Sequence, residues 1–281
     1  MKRWPWRVLA ALGVLAIAAL ARPPVAHATA TYTFGVQYFA VAQGTADFYP
    51  SGTGPTGLSI NYMTSTLGPN GYPVFNTSYT AYSGTVLAPS SSSLIGTTKQ
   101  VNWWDPASKG GNAGVTAAGT GTLTLTSSEQ TMYVPGQTND TTYLAADILT
   151  GYFSVTTAST IELSIGADDD VFVYVDGSIV FNYGGLNAYS PVTSTFSVAA
   201  GTHEVQIFYV DRESGIGALS FSEVTGTGLS TPNITASVPE PGTLAVLGTG
   251  LLGLLATRRK RKSAKPGWRL PGGAWQVAAG G

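Results

Sequence analysis

Three adjacent carboxylates, Asp168, Asp169 and Asp170, run directly into an apolar stretch over residues 171–175. Like charges this close repel one another, and the repulsion grows as water is excluded. Such a cluster at the mouth of a buried strand therefore either stays solvated, as an acidic turn that caps the strand, or binds a cation. Calcium fits the second alternative, because it takes about six to eight oxygen ligands from carboxylates, amides and carbonyls.

Groups suited to catalysis are scarce in this chain. It has no cysteine, and His203 is the only histidine after residue 28. Its expected position on a strand argues against a Ser-His-Asp triad, and one histidine without cysteine argues against zinc. Asp147, Glu162 and Glu213 are conceivable carboxylates for glycoside cleavage, but their spacing singles out no pair. We therefore expect a protein that is not an enzyme, and a glycan-cleaving enzyme is the least favoured alternative.

The N-terminus is typical of an export signal. A basic start precedes an uncharged apolar run over residues 8–20, and Ala26 and Ala28 are the small residues that signal peptidase accepts. The run is shorter than the roughly 20 residues of a membrane-spanning helix. We therefore predict a helical signal peptide over residues 1–28 and a secreted protein.

The other end of the chain has an equally ordered pattern. Pro239, Glu240 and Pro241 are followed by an apolar stretch over residues 244–256 and a basic cluster over residues 258–262. These elements, in this order, resemble the PEP-CTERM sorting tail of bacterial exported proteins. The resemblance implies a hydrophobic sorting helix that inserts transiently in the inner membrane, with its basic residues on the cytoplasmic side, and processing by an exosortase. A permanent anchor is the alternative, although the apolar stretch is short for one.

Between these two ends the chain is strongly acidic. Residues 29–239 hold three basic side chains against fourteen acidic ones, a net charge of −11, although the whole chain carries −1. Such a domain is not drawn to nucleic acid, and it suits divalent cations and neutral ligands such as sugars. Because the chain has no cysteine, the secreted domain must depend on a sizeable core rather than on disulfides.

Alternation of apolar and polar residues dominates this acidic part, for example over residues 122–126 and 161–165. Short alternating strands separated by Gly, Pro and Asn turns predict a β-sandwich or barrel. Residues 171–175 are apolar on both sides, which indicates a central strand. Asp176 and Gly177 after them are typical of a hairpin turn.

The stretch over residues 168–177, followed by residues 184–187, resembles the signature of fibro-slime domains, which are relatives of the protective-antigen-type β-sandwich. The resemblance covers about residues 34–223 and implies an all-β, antiparallel β-sandwich of the protective-antigen/fibro-slime type. Its further pieces, in the family's order, are residues 46–48, residues 65–75, Asn102, Trp103 and Trp104 with Asn112, and residues 208–213. The chain is thus expected to comprise a signal peptide (1–28), this domain (29–224), a linker (225–237), a sorting segment (238–262) and a disordered extension (263–281).

The resemblance also implies a ligand. In lectins of the wider superfamily, two consecutive aspartates joined by a cis peptide bind calcium, and the metal then chelates sugar hydroxyls. Asp168 and Asp169 match that pair, and Asn182, Asn187 and Asp211 are expected as further ligands. Where Asn182 and Asn187 stand, the family often has an acidic residue and a histidine, so this chain keeps an oxygen ligand at each place without the charge.

Four aromatic residues in or near predicted loops are candidates for carbohydrate binding: Trp103, Trp104, Tyr183 and Tyr189. Flat aromatic faces stack on sugar rings, but large aromatics also fill cores. Alternation in an extended segment predicts that one tryptophan of the pair points inward and one outward. Arg212 is expected to be a structural ion-pair partner of Glu213 or Asp211.

These features together predict a secreted extracellular matrix or cell-surface protein of a Gram-negative-type bacterium, with calcium as its cofactor. Its expected role is calcium-dependent binding of extracellular polysaccharide in a biofilm. The alternative is a structural matrix or surface-layer protein that binds no glycan. Besides the polysaccharide, the expected partners are the exosortase and signal peptidase that act during export, and no nucleic acid is expected.

Overall fold

The computed structural model of the protein describes residues 32–107, 114–226 and 235–236. The predicted signal peptide, the sorting segment, the C-terminal extension and Asn112 lie outside the described residues. Along the described part of the chain, no helix is both long enough and apolar enough to cross a membrane.

Strands make up nearly all the regular structure of the described residues. Two short 3₁₀ turns, Ser91–Ser93 and Gly96–Thr98, interrupt them. In chain order the strands are β1 (Tyr32–Ala42), β2 (Gly57–Leu58), β3 (Ser83–Gly84), β4 (Leu94–Ile95), β5 (Gln100–Val101), β6 (Val115–Leu125), β7 (Gln130–Thr131), β8 (Tyr143–Val155), β9 (Ser159–Asp168), β10 (Asp170–Val175), β11 (Ser178–Tyr183), β12 (Ser190–Val198), β13 (Gly201–Val210), β14 (Ala218–Gly226) and β15 (Thr235–Ala236).

Two antiparallel sheets face each other. The larger sheet has seven strands in the order β11-β10-β13-β8-β1-β6, with β15 paired to β8. The smaller sheet has four strands in the order β12-β9-β14-β7. Two further pairs, β2-β3 and β4-β5, lie in the long loops between β1 and β6. The prediction of an all-β, antiparallel sandwich is therefore confirmed.

Strand alternation builds two cores, one on each face of the larger sheet. Along β8, Ala145 and Leu149 belong to the core between the sheets, whereas Leu144 and Ile148 belong to a second core on the outer face. Neighbouring residues of a strand point to opposite faces, so one strand serves both cores. The loops between β1 and β6 cover the second core, and they bring the large aromatic side chains that fill it.

The central position of β10 follows from this double burial. Every residue of β10 is buried, since the strand lies between β11 and β13 and has a core on each face. Asp176 and Gly177 connect β10 to β11 with φ angles of 50° and 75°. Positive φ at both positions is what a tight two-residue hairpin requires, so the predicted turn is confirmed.

The predicted linker over residues 225–237 needs a correction. β14 continues to Gly226, and residues 235–236 form β15 on the edge of β8. The Thr- and Gly-rich composition suggested an unpaired linker, but backbone pairing in a sheet depends on available N–H and C=O groups more than on side-chain type. Residues 227–234 lie outside the described part of the chain.

Candidate functional site

Four strand ends place the acidic cluster at one end of the sandwich. β9 ends at Asp168, β10 begins at Asp170, β13 ends at Val210 and β14 begins at Ala218. β10 and β13 are antiparallel neighbours in the larger sheet, and β9 and β14 are antiparallel neighbours in the smaller one, so the paired strand ends lie side by side. We call this end of the sandwich the acidic rim.

Asp169 is the most firmly held carboxylate of the rim. The peptide bond between Asp168 and Asp169 is cis, as the family resemblance implied. The backbone N–H of Asn187 donates to Asp169 Oδ1 at 2.9 Å. The backbone N–H groups of Arg212 and Glu213 donate to Oδ2 at 2.8 and 3.0 Å. Two loops therefore hold the orientation of this carboxylate.

Asp170 faces away from the rim and into the second core. Its Oδ1 accepts a hydrogen bond from the backbone N–H of Gly185 at 2.6 Å. Its Oδ2 lies 3.6 Å from Nη1 of Arg212, and both side chains are fully buried. This third aspartate of the cluster is therefore an ion-pair partner within the core.

Asp211 is buried behind the rim and forms no ion pair with a basic side chain among the described residues. Its exposed fraction is 0%, and neither carboxylate oxygen has a hydrogen-bond partner among the described residues. A Cβ placed on Gly217 would lie 2.7 Å from Asp211 Oδ2, 2.8 Å from the Tyr209 hydroxyl and 3.0 Å from the Met132 carbonyl oxygen. Oxygen atoms thus converge beside Gly217, around a carboxylate that the protein leaves unsatisfied.

Asn187 presents a second unpartnered oxygen. Its side-chain N–H₂ donates to the carbonyl oxygens of Asp169 and Gly185 at 2.9 and 2.8 Å. These bonds fix the amide, and its Oδ1 is buried without a partner in the described structure. A buried acceptor without a donor costs about 1–3 kcal/mol, so it indicates a group or ion that supplies the missing interaction.

Burial also sets the protonation of the rim. Burial is the main cause that raises the pKa of Asp168 to about 6. Burial, followed by the neighbouring carboxylates, raises the pKa of Asp169 and of Asp211 well above the usual range. These carboxylates therefore favour a proton, and a cation held among them would reverse that preference.

A shallow cavity of about 230 Å³ opens at the rim. Glu213 holds one wall, because its Oε1 accepts hydrogen bonds from the backbone N–H groups of Thr53 and Gly54 at 2.9 and 3.1 Å. Ile216 stands on the edge of the cavity with 58% of its surface exposed. The lining comprises Ser51, Gly52, Thr56, Asp168, Asp169, Asn187, Ala188, Glu213, Ser214, Gly215 and Ile216.

The donor set of the rim is made of oxygen atoms. Among residues 32–107, 114–226 and 235–236, no three His, Cys, Asp or Glu side chains group closely enough to form a metal site by themselves. A metal at the rim would therefore also use the Asn187 amide oxygen and backbone carbonyls beside the carboxylates. Calcium accepts that mixture, whereas zinc prefers nitrogen and sulfur.

The structure corrects the prediction for the tryptophan pair. Trp103 and Trp104 are both fully buried, so neither points outward. Nε1–H of Trp103 donates to Asp47 Oδ2 at 3.2 Å, and that of Trp104 donates to the Tyr209 carbonyl oxygen at 2.9 Å. Alternation failed because residues 102–105 lie in a covering loop, which buries both rings against the larger sheet.

The two predicted tyrosines differ in exposure. Tyr183 is 4% exposed and packs in the core between the sheets. Tyr189 is half-buried, and its hydroxyl hydrogen-bonds to the Ser220 hydroxyl at 2.8 Å. Its ring lies against Gly166, where a Cβ would come within 2.7 Å of it. Stacking of a sugar on Tyr183 would require that ring to move.

Asn182 and Arg212 also have other partners than those expected. Asn182 accepts from the Met63 N–H at 3.1 Å and donates to the Met63 carbonyl oxygen at 2.7 Å, so both ends of its amide are bound to Met63. Arg212 pairs with Asp170 and not with Glu213 or Asp211. Arg212 therefore has the structural role that was expected, but its partner is Asp170, which faces the second core.

The candidate catalytic carboxylates do not converge. Asp147 is buried on β8 in the larger sheet, and Glu162 lies in the middle of β9 in the smaller sheet, whereas Glu213 is at the rim. His203 uses both ring nitrogens, which lie 2.7 Å from Asp176 Oδ2 and 3.0 Å from the Ala199 carbonyl oxygen. No ring nitrogen of His203 is left to activate a nucleophile.

Two loops that line the cavity, residues 51–56 and 214–216, were not predicted from the sequence. Their residues are Ser, Gly, Thr, Pro and Ile, which carry no chemistry that distinguishes them from other surface loops. Glu213 was singled out only as a possible ion-pair or catalytic residue. Its capture of two backbone N–H groups 160 and 159 residues away depends on the fold.

Two family comparisons match this chain. A PA14 domain profile matches residues 103–239, and a PEP-CTERM protein-sorting motif matches residues 237–261. Residues 103–239 are thus similar to a PA14 domain, and the sorting motif indicates export to the cell surface or the extracellular space. No curated protein sequence matches the chain.

Solved structures show only distant similarity. A "PA14 sugar-binding domain from RTX adhesin" is 16% identical, with 73% of this chain and 98% of that one covered and a TM-score of 0.34. The PA14 domain of the MpAFP antifreeze protein is 11% identical, with 75% and 96% covered and a TM-score of 0.33. An anti-sigma factor domain-containing protein is 16% identical with a TM-score of 0.28, and the chain spans 34% of its length.

Proposed function

Because one chain carries a PA14 domain and a PEP-CTERM sorting motif, we propose that it is an exosortase-sorted surface protein that binds carbohydrate through calcium at the acidic rim. The observation that carries the proposal is the Asp211 carboxylate, which is fully buried with both oxygens unpartnered. A divalent cation would compensate that charge, since leaving it alone in a dry environment is costly.

The cation would lie among the oxygens of Asp168, Asp169, Asp211 and Asn187. Asp169 is already oriented by three backbone N–H groups, and Asn187 Oδ1 lacks a partner. Preorganised oxygen ligands reduce the ordering cost of metal binding. Bound calcium supplies open coordination positions, which sugar hydroxyls fill.

The cavity gives the remaining contacts with a sugar. Its volume of about 230 Å³ suits one sugar ring at the end of a chain rather than an internal stretch of polymer. Ile216 offers an exposed apolar side chain to the C–H face of the ring, and Ser51 and Thr56 offer hydroxyls. Recognition would then depend on the metal rather than on stacking against an aromatic ring.

β15 and the rim lie towards opposite ends of β8. β15, the described segment just before the sorting motif, pairs with Gly151 and Tyr152. The rim is level with Ala145, whose carbonyl oxygen accepts from the Asp211 N–H. Seven residues of extended strand separate Ala145 from Tyr152, about 23 Å at 3.3 Å per residue.

The test is binding to a glycan array, in calcium and in chelator, by the exported domain and by two variants. Asp211→Asn and Asp169→Asn should each lower glycan binding by about tenfold or more, and chelator should abolish it. Glu162→Gln removes one charge on β9 away from the rim and should bind as wild type does. Glycan binding that survives chelator would refute the calcium part of the proposal. Calcium uptake without binding to any glycan would favour the structural matrix protein.

A further inference from the structure

The sorting motif begins directly after a residue that the larger sheet holds. The matched motif starts at residue 237. Thr235 and Ala236 form β15 and pair with Tyr152 and Gly151 of β8. The folded domain therefore holds the backbone up to the first residue of the motif, with no free residue between the sheet and the segment that export machinery reads.

β15 occupies a position that β1 leaves open. β1 pairs with β8 from Ala42 opposite Tyr143 to Gly35 opposite Thr150, and its remaining residues pair only with β6. Past Thr150, the edge of β8 that faced β1 has free backbone N–H and C=O groups. β15 satisfies part of this edge at the next two residues.

This pairing is short compared with its neighbours. β15 contributes two residues, whereas β8 pairs with β13 over ten residue pairs on its other side. Two-residue pairing gives little cooperative stability, so β15 can detach while the rest of the sheet stays intact. A competing partner can therefore bind this segment in place of β8.

An enzyme that processes a sorting motif must take the polypeptide in an extended form. Extended segments are commonly bound by strand addition, in which the partner uses the same backbone N–H and C=O groups that a sheet uses. Residues just before the motif cannot pair with β8 and with an enzyme cleft at once. The two interactions are mutually exclusive.

We propose that β8 and the processing enzyme compete for Thr235 and Ala236, so that the folded domain slows processing of its own tail until β15 detaches. The interaction surface is the backbone of residues 235–236, and the partner it fits is an enzyme with an extended, strand-pairing cleft. The inference rests on the sorting motif and on β15, and it is independent of the calcium site.

A reversible disulfide tests this competition. Thr235 and Tyr152 are Cα partners of an antiparallel pair, and such pairs lie within the Cα separation that a disulfide spans. The natural chain has no cysteine, so within one molecule the double variant Thr235→Cys with Tyr152→Cys can form only this bond. It should form in the oxidising environment outside the cytoplasm and fix β15 on β8.

The readout is the ratio of unprocessed to processed protein in the native host, measured by mass. The oxidised double variant should be processed about tenfold more slowly than wild type, and addition of a membrane-permeant reductant should restore the wild-type rate. Thr235→Cys alone measures the effect of changing the segment itself. Thr160→Cys with Ser197→Cys joins another pair of Cα partners, on β9 and β12, and should be processed as wild type.

Two results would overturn the proposal. One is equal processing rates for the oxidised and reduced double variant. The other is a disulfide that forms between positions 160 and 197 in the control variant, whereas none forms between positions 235 and 152 in the test variant. That result would show that β15 does not stay paired with β8. Neither result depends on glycan or calcium binding, so the failure of this inference and the failure of the proposed function are distinguishable.

Discussion

The guanidinium carbon of Arg212 lies 4.6 Å from the centre of the Trp103 indole ring. Nε of Arg212 donates to the Asp47 carbonyl oxygen at 3.0 Å, so the side chain is fixed within the second core. The backbone N–H of the same arginine donates to Asp169 Oδ2 at 2.8 Å. Trp103, which was expected to stack on sugar, thus packs against the arginine whose backbone N–H holds the rim carboxylate.

Trp103→Phe tests this support. The smaller ring leaves a void beside Arg212 and loses the hydrogen bond to Asp47, so the free energy of unfolding should fall by about 1–3 kcal/mol. Urea unfolding followed by circular dichroism measures the change. Tyr82→Phe, at a side chain that is 71% exposed, is the control and should stay within about 0.5 kcal/mol of wild type. A Trp103→Phe protein as stable as wild type would contradict the support role.

Asp147 should make stability depend on pH. Burial raises the pKa of Asp147 well above its usual value, so the folded protein binds this proton more tightly than the unfolded chain does. The stability that this gives is present below the ordinary pKa of 3.8 and is lost as pH rises through the folded-state pKa. Asp147→Asn cannot titrate, and near neutral pH it should be more stable than wild type by about 1–3 kcal/mol.

Urea unfolding of both proteins across the acid range measures this difference. The advantage of Asp147→Asn should shrink as pH falls, because wild-type Asp147 regains its proton. Asp105→Asn, in a partly exposed loop, is the control for simple removal of a negative charge. A gap between Asp147→Asn and wild type that is the same at every pH would show that Asp147 does not titrate on unfolding.

His203 should also make the free energy of unfolding depend on pH, by a smaller amount than Asp147 does. The hydrogen bond to Asp176 is the main cause that raises the pKa of His203. The stability from this pair is fully present below the unfolded value of 6.5 and is lost as pH rises through the raised folded-state pKa. Because Asp176 is 54% exposed, the loss should stay under about 1 kcal/mol.

His203→Gln and Asp176→Asn should each remove that pH-dependent part of the stability. Thermal unfolding between mildly acidic and mildly basic buffer measures it in both variants and in wild type. If Asp176→Asn keeps the full wild-type pH dependence, the pair is not its source.

The sorting motif gives a prediction about the surface form. Pro239→Ala with Glu240→Ala alters the start of the matched motif, so the exosortase should process the tail less well. The mass of the surface-retained protein, measured by immunoblot and mass spectrometry, should increase. Pro232→Ala, outside the motif, is a matched control. An unchanged mass in the double variant would count against processing at this motif.

The sequence predicted the sandwich, the central strand and its hairpin turn because alternation and turn residues report local geometry. Residues 171–175 are buried on both faces as their uninterrupted apolar character indicated. The position of Asp168 and Asp169 at the mouth of β10 also followed from sequence, since these residues directly precede the uninterrupted apolar run.

The surroundings of these aspartates were less predictable. Trp103 and Asn182 have the chemistry of ligand-binding residues. Long-range packing nevertheless buries Trp103 in the second core and binds the Asn182 amide to Met63. Glu213 holds the loop at Thr53 through contacts between segments 160 residues apart. Sequence shows which groups can bind, and only the fold shows which of them are already bound to the protein itself.

Calcium titration of the exported domain by isothermal calorimetry tests the central claim most directly. We expect one ion per chain with a dissociation constant of about 0.1–1 mM or tighter, the range of extracellular calcium sites. Asp211→Asn should weaken that binding by about tenfold or more while Glu162→Gln leaves it unchanged. Absence of calcium binding by the folded wild-type domain, or equal binding by Asp211→Asn, would contradict the account.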